Sequence, residues 1–370
     1  MKVLIDNFTY KVGNSEQSER FRGRSPIRGA QRQKEVFQKK MKVSVERFDS
    51  IFSNLKPVLV VGDMMVDEFI WGAVERVSPE APVPVVDIVR ETFHPGGAGN
   101  VVVNISTLSG EVHPAGVIGQ DREGETFLSD LKKKGIGTEG LICDPNRPTT
   151  LKTRIIAHSQ QMIRVDREKK GMISEDILNN LLSYIEQTVP KVSVVVISDY
   201  GKGVIGERLL EELIPLCKKH DVISIVDPKV GNFGYYKGAS VITPNHYEAQ
   251  DLAGIIIEDE KSLLSCMNAI LHRISCETVI VTRGEKGMSM LMNDNSFFHI
   301  PTKAREVYDV TGAGDTVVAT LALALSSGAE MKEAMVLANY AAGLVVEKVG
   351  TATVTKEELR QRIEEDNCQE

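Results

Sequence analysis

The chain has 370 residues, 42% hydrophobic and 26% charged, values ordinary for a globular protein with one large core, or with one core and a small appendage. Its net charge of -7 argues against a nucleic acid as ligand, and no apolar run is long enough to cross a membrane. The five cysteines are scattered, odd in number and without a Cys-x-x-Cys pair, and the N-terminus lacks a secretion-signal pattern. We therefore expect a cytoplasmic protein without disulfides or structural zinc.

The first 56 residues differ from the rest of the chain. Between Arg20 and Lys42 the sequence is rich in basic and small polar residues and has no periodic apolar stripe. Such a composition predicts a disordered basic extension over residues 1–56. Attachment to an acidic surface is the functional alternative, and a true start at Met41 is the plainest one.

Order is predicted to begin at Pro57, with a single domain over residues 57–370. Short, almost wholly apolar runs, each ending in polar residues, are typical of strands buried on both faces of a parallel sheet. Amphipathic stretches of helical period alternate with them, which indicates an α/β fold. The predicted strands cover residues 57–63, 192–198, 222–227, 241–243 and 278–282, and the predicted helices include residues 205–219, 248–254 and 261–274.

One segment breaks this alternation. Residues 68–72 and 83–92 have the pattern of extended strands, and the segment between them, residues 78–82, is too rich in proline for a helix. We predict a small β appendage, formed by about residues 68–75 and 83–94, that covers a site at the edge of the sheet. Ligands of such sheets lie beyond the carboxyl ends of the strands, where Asp63, Asp199 and Asp227 are predicted.

The strongest chemical signal is the run Gly312-Ala313-Gly314-Asp315, followed by an apolar helix over residues 317–325. Small residues let the backbone approach a ligand, and the unpaired N–H groups at a helix N-terminus attract anions. Asp315 would repel a phosphate, so its useful role is that of a general base that deprotonates an attacking hydroxyl. The three preceding amides would stabilise the charge of a transferred phosphoryl group. A glycine-rich loop with an acidic residue favoured by the helix dipole is the structural alternative.

Other nucleotide motifs are missing or weak. The chain has no Gly-x-x-x-x-Gly-Lys-Ser/Thr run, which excludes a P-loop enzyme. Residues 96–100 do not have the dinucleotide-binding spacing. Their glycines could still bring backbone amides against a polar ligand, with Asn100 adding a donor and an acceptor.

Four motifs occur together and in order: residues 96–100, residues 243–248 (Thr-Pro-Asn-x-x-Glu), residues 281–284 and residues 309–316. In this combination the chain resembles the ribokinase-like (PfkB) carbohydrate kinases from about residue 57 to residue 358. The resemblance implies a three-layer α/β sandwich with a mostly parallel central sheet and a small β-sheet lid. It also implies an ATP-dependent kinase that uses Mg²⁺, and it admits a monovalent cation. The lid of such kinases tends to pair with a second subunit, so a homodimer is expected.

The resemblance assigns roles position by position. Asp315 is the base, and Gly312, Ala313 and Gly314 form the anion hole. Mg²⁺ and its water shell are placed by Asn245 and Glu248. The remaining assignments are a nucleotide set (Thr282, Gly284 and Asn339) and a sugar set (Asp63, Gly96, Gly97, Asn100 and Asp199). For Asp63, a carboxylate that caps a turn is the structural alternative.

A narrower resemblance rests on residues 76–85, 160–166, 198–203 and 307–310. These segments are similar to the D-glycero-β-D-manno-heptose 7-phosphate kinases, which phosphorylate the anomeric hydroxyl in the synthesis of ADP-heptose for the lipopolysaccharide core. In many bacteria that kinase is fused to a nucleotidyltransferase. The chain has no His-x-Gly-His run, so we expect a stand-alone kinase here. Two departures, at Gly99 and after Lys229, affect the expected substrate contacts.

A phosphorylated substrate requires cations near the sugar. Arg164, Lys202 and Lys229 are the candidates, since Arg pairs with phosphate through two hydrogen bonds and Lys acts as a point charge. Two alternatives to the heptose kinase stay open. One is a kinase of this fold acting on another sugar or on a nucleoside, and the other is a catalytically silent sensor that binds a sugar phosphate.

Overall fold

The computed structural model describes residues 42–158, 160–348 and 350–368. Within them, nine strands form the central sheet in the order β13-β12-β11-β10-β9-β8-β1-β4-β5. All neighbours in this sheet are parallel except the pairs made by β12, which are antiparallel. The strands are β1 (Val58–Gly62), β4 (Val112–Gly119), β5 (Gly140–Asp144), β8 (Val194–Ser198), β9 (Ile223–Asp227), β10 (Val241–Ile242), β11 (Thr278–Thr282), β12 (Met288–Met292) and β13 (Phe297–Ile300).

Helices cover both faces of this sheet. They are α1 (Val45–Phe52), α2 (Ala98–Thr107), α3 (Arg122–Lys133), α4 (Glu175–Thr188), α5 (Glu207–Lys219), α6 (His246–Ala253), α7 (Glu260–Ile274), α8 (Ala313–Ser326), α9 (Met331–Val345) and α10 (Lys356–Cys368). One apolar core is formed with α1–α3 and α8–α10, and a second with α4–α7. The predicted three-layer sandwich is therefore confirmed.

The central strand β1 shows why the apolar runs become sheet. All five of its residues are buried. Val58 and Val60 pack into the first core, whereas Leu59 and Val61 pack into the second. Because side chains alternate across a strand, a sheet with a core on each side requires an apolar residue at every position.

The lid is larger than the sequence predicted. Its four described strands are β2 (Met64–Val77), β3 (Pro84–Gly97), β6 (Thr150–Ala157) and β7 (Gln160–Arg167), in the order β3-β2-β6-β7. The hairpin β2–β3 was predicted, with shorter strands. The hairpin β6–β7 was missed, because β6 pairs in parallel with β2 across about eighty residues of chain, a contact that local patterns do not report.

The boundary predicted at Pro57 is too late. Helix α1 precedes it, with the Ser44 hydroxyl accepting a hydrogen bond from the Arg47 amide at its start. Phe48, Ile51 and Phe52 are buried in the first core. The disorder predicted for residues 1–41 lies outside the described residues. No helix in the described part of the chain has the length and apolar character needed to cross a bilayer.

Candidate active site

Asp315 lies in the first turn of α8 and is buried. Its Oδ1 accepts a hydrogen bond from the Tyr200 hydroxyl at 2.6 Å, and its Oδ2 accepts one from Asn100 Nδ2 at 2.6 Å. Burial raises the pKa of Asp315 to about 6, although both hydrogen bonds and the charge of Lys152 favour the ionised form. The carboxylate is therefore held in one orientation and titrates close to neutral pH.

A network of buried side chains fixes Asn100 in turn. Asn104 donates from Nδ2 to the Asn100 backbone carbonyl at 2.9 Å and to Asn100 Oδ1 at 3.1 Å. Thr316 extends this network, because its hydroxyl donates to Asn104 Oδ1 at 2.9 Å. Since Asn100 Oδ1 already accepts a hydrogen bond from Asn104, the amide nitrogen of Asn100 faces Asp315.

The loop before α8 requires glycine at one position. Gly312 caps the helix with a φ of 79°, and a Cβ there would lie 2.6 Å from Asn100 Nδ2. The amide of Ala313 donates to the Val310 carbonyl at 3.2 Å, so it does not belong to the anion hole as predicted. The amides of Gly312 and Gly314 donate no hydrogen bond to another described residue, and they remain suited to an anion.

A cavity of about 230 Å³ opens in front of Asp315, at the carboxyl ends of β8–β11. It brings together predicted residues from distant parts of the chain: Asp199, Lys229, Asn245, Glu248, Thr282, Gly312, Gly314 and Asp315. Tyr200 and Asp227 also line it; Asp227 was predicted at this edge of the sheet without a role, and Tyr200 was not among the predicted site residues. This is the position that ligands take in open α/β sheets.

Carboxylates crowd one side of this cavity. Burial and the neighbouring charges of Asp315 and Glu248 raise the pKa of Asp227 well above its usual value, and burial raises the pKa of Glu248. Asn245 and Glu248 form the capping box of α6, with Asn245 Oδ1 accepting from the Glu248 amide at 3.0 Å and Glu248 Oε2 accepting from the Asn245 amide at 3.0 Å. Hard oxygen donors with unfavourable mutual repulsion suit a hydrated Mg²⁺.

The comparisons with known proteins agree with this geometry. The family model described as pfkB family carbohydrate kinase matches residues 56–358. The chain belongs to the pfkB family of carbohydrate kinases.

Two relatives of this pfkB kinase are both named bifunctional protein HldE. That of Desulfatibacillum aliphaticivorans is 45% identical over 323 residues, which are 87% of this chain and 66% of the relative. That of Syntrophotalea carbinolica is 44% identical over 320 residues, 86% of this chain and 65% of the relative. The matched region thus spans slightly less than two thirds of these relatives.

Solved structures of low identity share the fold of this kinase. The Arabidopsis thaliana ribokinase complexed with ribose and ATP superposes with a TM-score of 0.67 at 19% identity, covering 84% of this chain and 99% of that chain. The Escherichia coli phosphofructokinase-2 in complex with potassium gives a TM-score of 0.69 at 18% identity, with coverages of 84% and 99%. The nine-stranded sheet with its separate four-stranded lid is the ribokinase-like architecture.

Several predicted binding residues of the kinase make structural contacts instead. Asp63 was assigned to sugar hydroxyls, but its carboxylate accepts from the amides of Tyr200, Lys202 and Val204 at 2.9, 3.0 and 3.1 Å. It is 1% exposed, and its described contacts are those of the turn-capping alternative.

Asp199 is occupied in the same way. Its carboxylate accepts from the Gly201 amide, the Asn232 amide group and the Tyr236 hydroxyl at 2.7, 2.7 and 2.5 Å. Although it lines the cavity, the hydrogen-bonding capacity of its oxygens is used to hold the loop after β8. We therefore remove it from the sugar set.

The three residues of the predicted nucleotide set lie in different surroundings. Thr282 lines the cavity beside Asn245, with which it forms an isolated parallel bridge. Gly284, with a φ of 57°, begins a short 3-10 turn and is not among the cavity-lining residues. Asn339 is buried in α9 and donates to the Pro301 carbonyl at 2.7 Å, so its described contact is structural.

One glycine of the sugar set, Gly96, lets the lid strand β3 approach Asp67. Gly96 and Gly97 lie at the end of β3, opposite Met65 and Met64 of β2. A Cβ on Gly96 would lie 2.2 Å from Asp67 Oδ2. Asp67 also forms an ion pair with Arg154 of β6, and its charge raises the pKa of Asp315. Asp67, which the sequence analysis missed, is thus a lid carboxylate whose charge acts on the base.

The three predicted phosphate cations lie in different places. Arg164 is exposed on β7 and pairs with Asp166, two residues along, at 2.9 Å. Lys202 forms an ion pair with Glu168, with 2.5 Å between Nζ and Oε2. Lys229 lines the cavity on the side of Asn245, Glu248 and Thr282. Of the three, only Lys229 lines the cavity, and the binding of a sugar-side phosphate by one or more of them stays a prediction.

Proposed function

We propose that this kinase transfers the γ-phosphoryl group of ATP to the anomeric hydroxyl of D-glycero-β-D-manno-heptose 7-phosphate, giving the 1,7-bisphosphate. The observation that carries the proposal is the identity of 45% to a bifunctional protein HldE across nearly the whole described domain. The four segments that resemble heptose 7-phosphate kinases support it. The product would be an intermediate in the synthesis of ADP-heptose, a precursor of the lipopolysaccharide core.

The chemistry follows from the position of Asp315. Its carboxylate oxygens each accept one hydrogen bond, which leaves a lone pair free for the anomeric hydroxyl. As that proton moves to Asp315, the hydroxyl oxygen forms a bond to the γ-phosphorus. The bond from the γ-phosphorus to the bridging oxygen breaks, and ADP leaves with the electron pair. The free amides of Gly312 and Gly314 stabilise the charge on the transferred group.

Asn245 and Glu248 would hold a hydrated Mg²⁺ beside the phosphates, where the ion would offset both the phosphate charge and the crowded carboxylates. Asp67 is a further candidate for sugar hydroxyls beside Asp63, because it lies on the lid strand β2 and its charge raises the pKa of Asp315. A monovalent cation, which the resemblance admits, is tested by comparing K⁺ with Na⁺.

We also propose a homodimer formed through the lid. Strands β3 and β7 expose Ile88, Val89, Ile163 and Val165, which are 57%, 78%, 54% and 51% accessible. Exposed apolar side chains on the two edge strands of the lid favour pairing with a second lid. Sedimentation analysis should give a dimer for the wild type and a monomer for Ile163→Asp. A wild-type monomer would remove this proposal.

The decisive assay measures ADP release with Mg-ATP and a panel of acceptors: heptose 7-phosphate, free heptose, fructose 6-phosphate, ribose and adenosine. Turnover restricted to heptose 7-phosphate supports the full proposal. Turnover of a different acceptor would keep the kinase and discard the heptose. A folded, ATP-binding protein that is silent with every acceptor would favour the sensor.

A further inference from the structure

Four cations lie on the lid or on the loop after β8, which carries Tyr200. Lys152 and Arg154 lie on β6, Arg164 lies on β7, and Lys202 lies on the loop after β8. The strand pairing places Lys152 opposite Asp67 and Asp166, and Arg154 opposite Arg164. Because paired residues of neighbouring strands project to the same side of a sheet, the three lid cations share one face.

Three of the four cations have a carboxylate partner. Arg154 pairs with Asp67, Arg164 with Asp166 and Lys202 with Glu168. Lys152 is the exception, since its ammonium makes no hydrogen bond or ion pair with any residue that the structure describes. A half-buried ammonium without an acceptor is unusual, because three strong donors lose part of their hydration without replacement.

The ammonium of Lys152 lies over the ring of Tyr200, the residue that orients the base. Its Nζ lies 5.4 Å from the centre of the Tyr200 ring, and the Tyr200 hydroxyl donates to Asp315. Burial lowers the pKa of Lys152, and the charges of Lys202 and Arg154 act in the same direction, whereas Asp67 and Asp166 oppose it. An anionic ligand at this point would relieve both the lost hydration and the repulsion among the cations.

We propose that Lys152 binds the phosphate ester of the acceptor sugar. The inference rests on the proposed function for the identity of the sugar, and on the lid geometry for the site. A role toward ATP fits less well. Lys152 does not line the cavity of Asn245, Glu248 and Thr282, and that cavity has its own cation in Lys229. Lys152 lies on the lid side of Asp315, where the acceptor must enter.

The test compares phosphorylated and free acceptors in Lys152→Met, which keeps the length of the side chain and removes the charge. A charge-assisted hydrogen bond is worth roughly 10- to 100-fold in affinity, so we expect KM for heptose 7-phosphate to rise by about 30-fold. The KM values for free heptose and for ATP should stay within about twofold. Lys152→Arg should restore part of the loss, because it restores the charge.

Lys169→Met is the matched control. Lys169 is an exposed lysine of the segment after β7, and its Nζ donates to the Asn146 carbonyl at 3.0 Å. We expect its preference for phosphorylated over free acceptor to equal that of the wild type. A purely structural role of Lys152, through its contact with the Tyr200 ring, would instead raise KM or lower kcat for all acceptors by the same factor.

Binding titrations separate a failure of this proposal from a failure of the heptose assignment. Trp71, the single tryptophan of the chain, lies on β2 of the lid and provides a fluorescence signal for heptose 7-phosphate, fructose 6-phosphate and inorganic phosphate. Lys152-dependent binding of another sugar phosphate would sustain the Lys152 site while removing the heptose. A Lys152→Met variant that prefers phosphorylated acceptors as strongly as the wild type would overturn the proposal that Lys152 binds the phosphate ester. So would a wild type without any preference for the phosphate ester.

Discussion

The hydroxyl of Tyr200 donates a hydrogen bond of 2.6 Å to Oδ1 of Asp315, so a residue of the loop after β8 orients the base at the start of α8. Burial raises the pKa of Tyr200 far above its usual value, which keeps the phenol protonated as a donor. The loop itself is fixed by Asp63, which accepts from three of its amides. Through this chain of contacts, the buried Asp63 acts on the base without touching it.

Tyr200→Phe should therefore slow the reaction. Loss of a hydrogen bond to a charged group costs about 1.5–3 kcal/mol, which corresponds to a kcat lower by roughly 10- to 100-fold. Tyr184→Phe, on α4 and remote from the cavity, is the matched control and should keep wild-type kcat. A Tyr200→Phe variant as fast as its control would show that the hydrogen bond does not matter for catalysis.

The acid limb of the pH–rate profile should report Asp315. Only the ionised carboxylate accepts the proton, and its pKa is about 6, so kcat should fall as the pH is lowered through this value. The groups that set this pKa are Tyr200, Asn100, Asp67 and Lys152, of which Tyr200 and Asn100 lower it by hydrogen bonding. In Tyr200→Phe the limb should move to higher pH. A limb at an unchanged pH in both proteins would assign it to another group.

Asp315→Asn should lose phosphoryl transfer by about 10³-fold or more, since an amide cannot accept the proton. ATP affinity, measured by calorimetry, should change little, because the substitution preserves shape and reduces the negative charge in the cavity. Near-normal turnover would remove Asp315 from the mechanism. Loss of ATP binding together with turnover would point to misfolding instead.

Gly312 and Gly314, at the start of α8, should respond differently to substitution by alanine. In Gly312→Ala the alanine would be strained at a φ of 79°, and its Cβ would clash with the Asn100 amide. We therefore expect the substitution to lower the free energy of unfolding by about 1–2 kcal/mol and to displace Asn100 from Asp315. Gly314→Ala meets no atom within 4 Å, and its thermal midpoint should be equal to or above that of the wild type. Equal midpoints for the two variants would contradict the described loop.

Asp63→Asn and Asp67→Asn should separate structure from binding. The first leaves backbone amides of the loop facing an amide group, and we expect the free energy of unfolding to fall by roughly 2–4 kcal/mol. The second should mainly raise KM for the acceptor, measured by the ADP-release assay. The opposite pattern would return the sugar hydroxyls to Asp63.

The sequence by itself determined the architecture and the chemistry at one point. Apolar runs buried on both faces predicted the parallel sheet, and the glycines before Asp315 predicted the loop that lines the cavity, because both signals lie within a few consecutive residues. The cavity-lining positions Asn245, Glu248 and Thr282 were also predicted, since the carboxyl ends of parallel strands meet at one edge.

Only the tertiary structure decided which partner each carboxylate and cation has. Asp63 and Asp67 both follow β1 closely, yet Asp63 accepts hydrogen bonds from three backbone amides, whereas Asp67 pairs with Arg154 of the lid. Lys152 and Lys202 are both lysines, yet only Lys202 has a carboxylate partner among the described residues. Hydrogen-bonding capacity is consumed by neighbours that are distant in sequence, and the pairing of β2 with β6 brings those neighbours together.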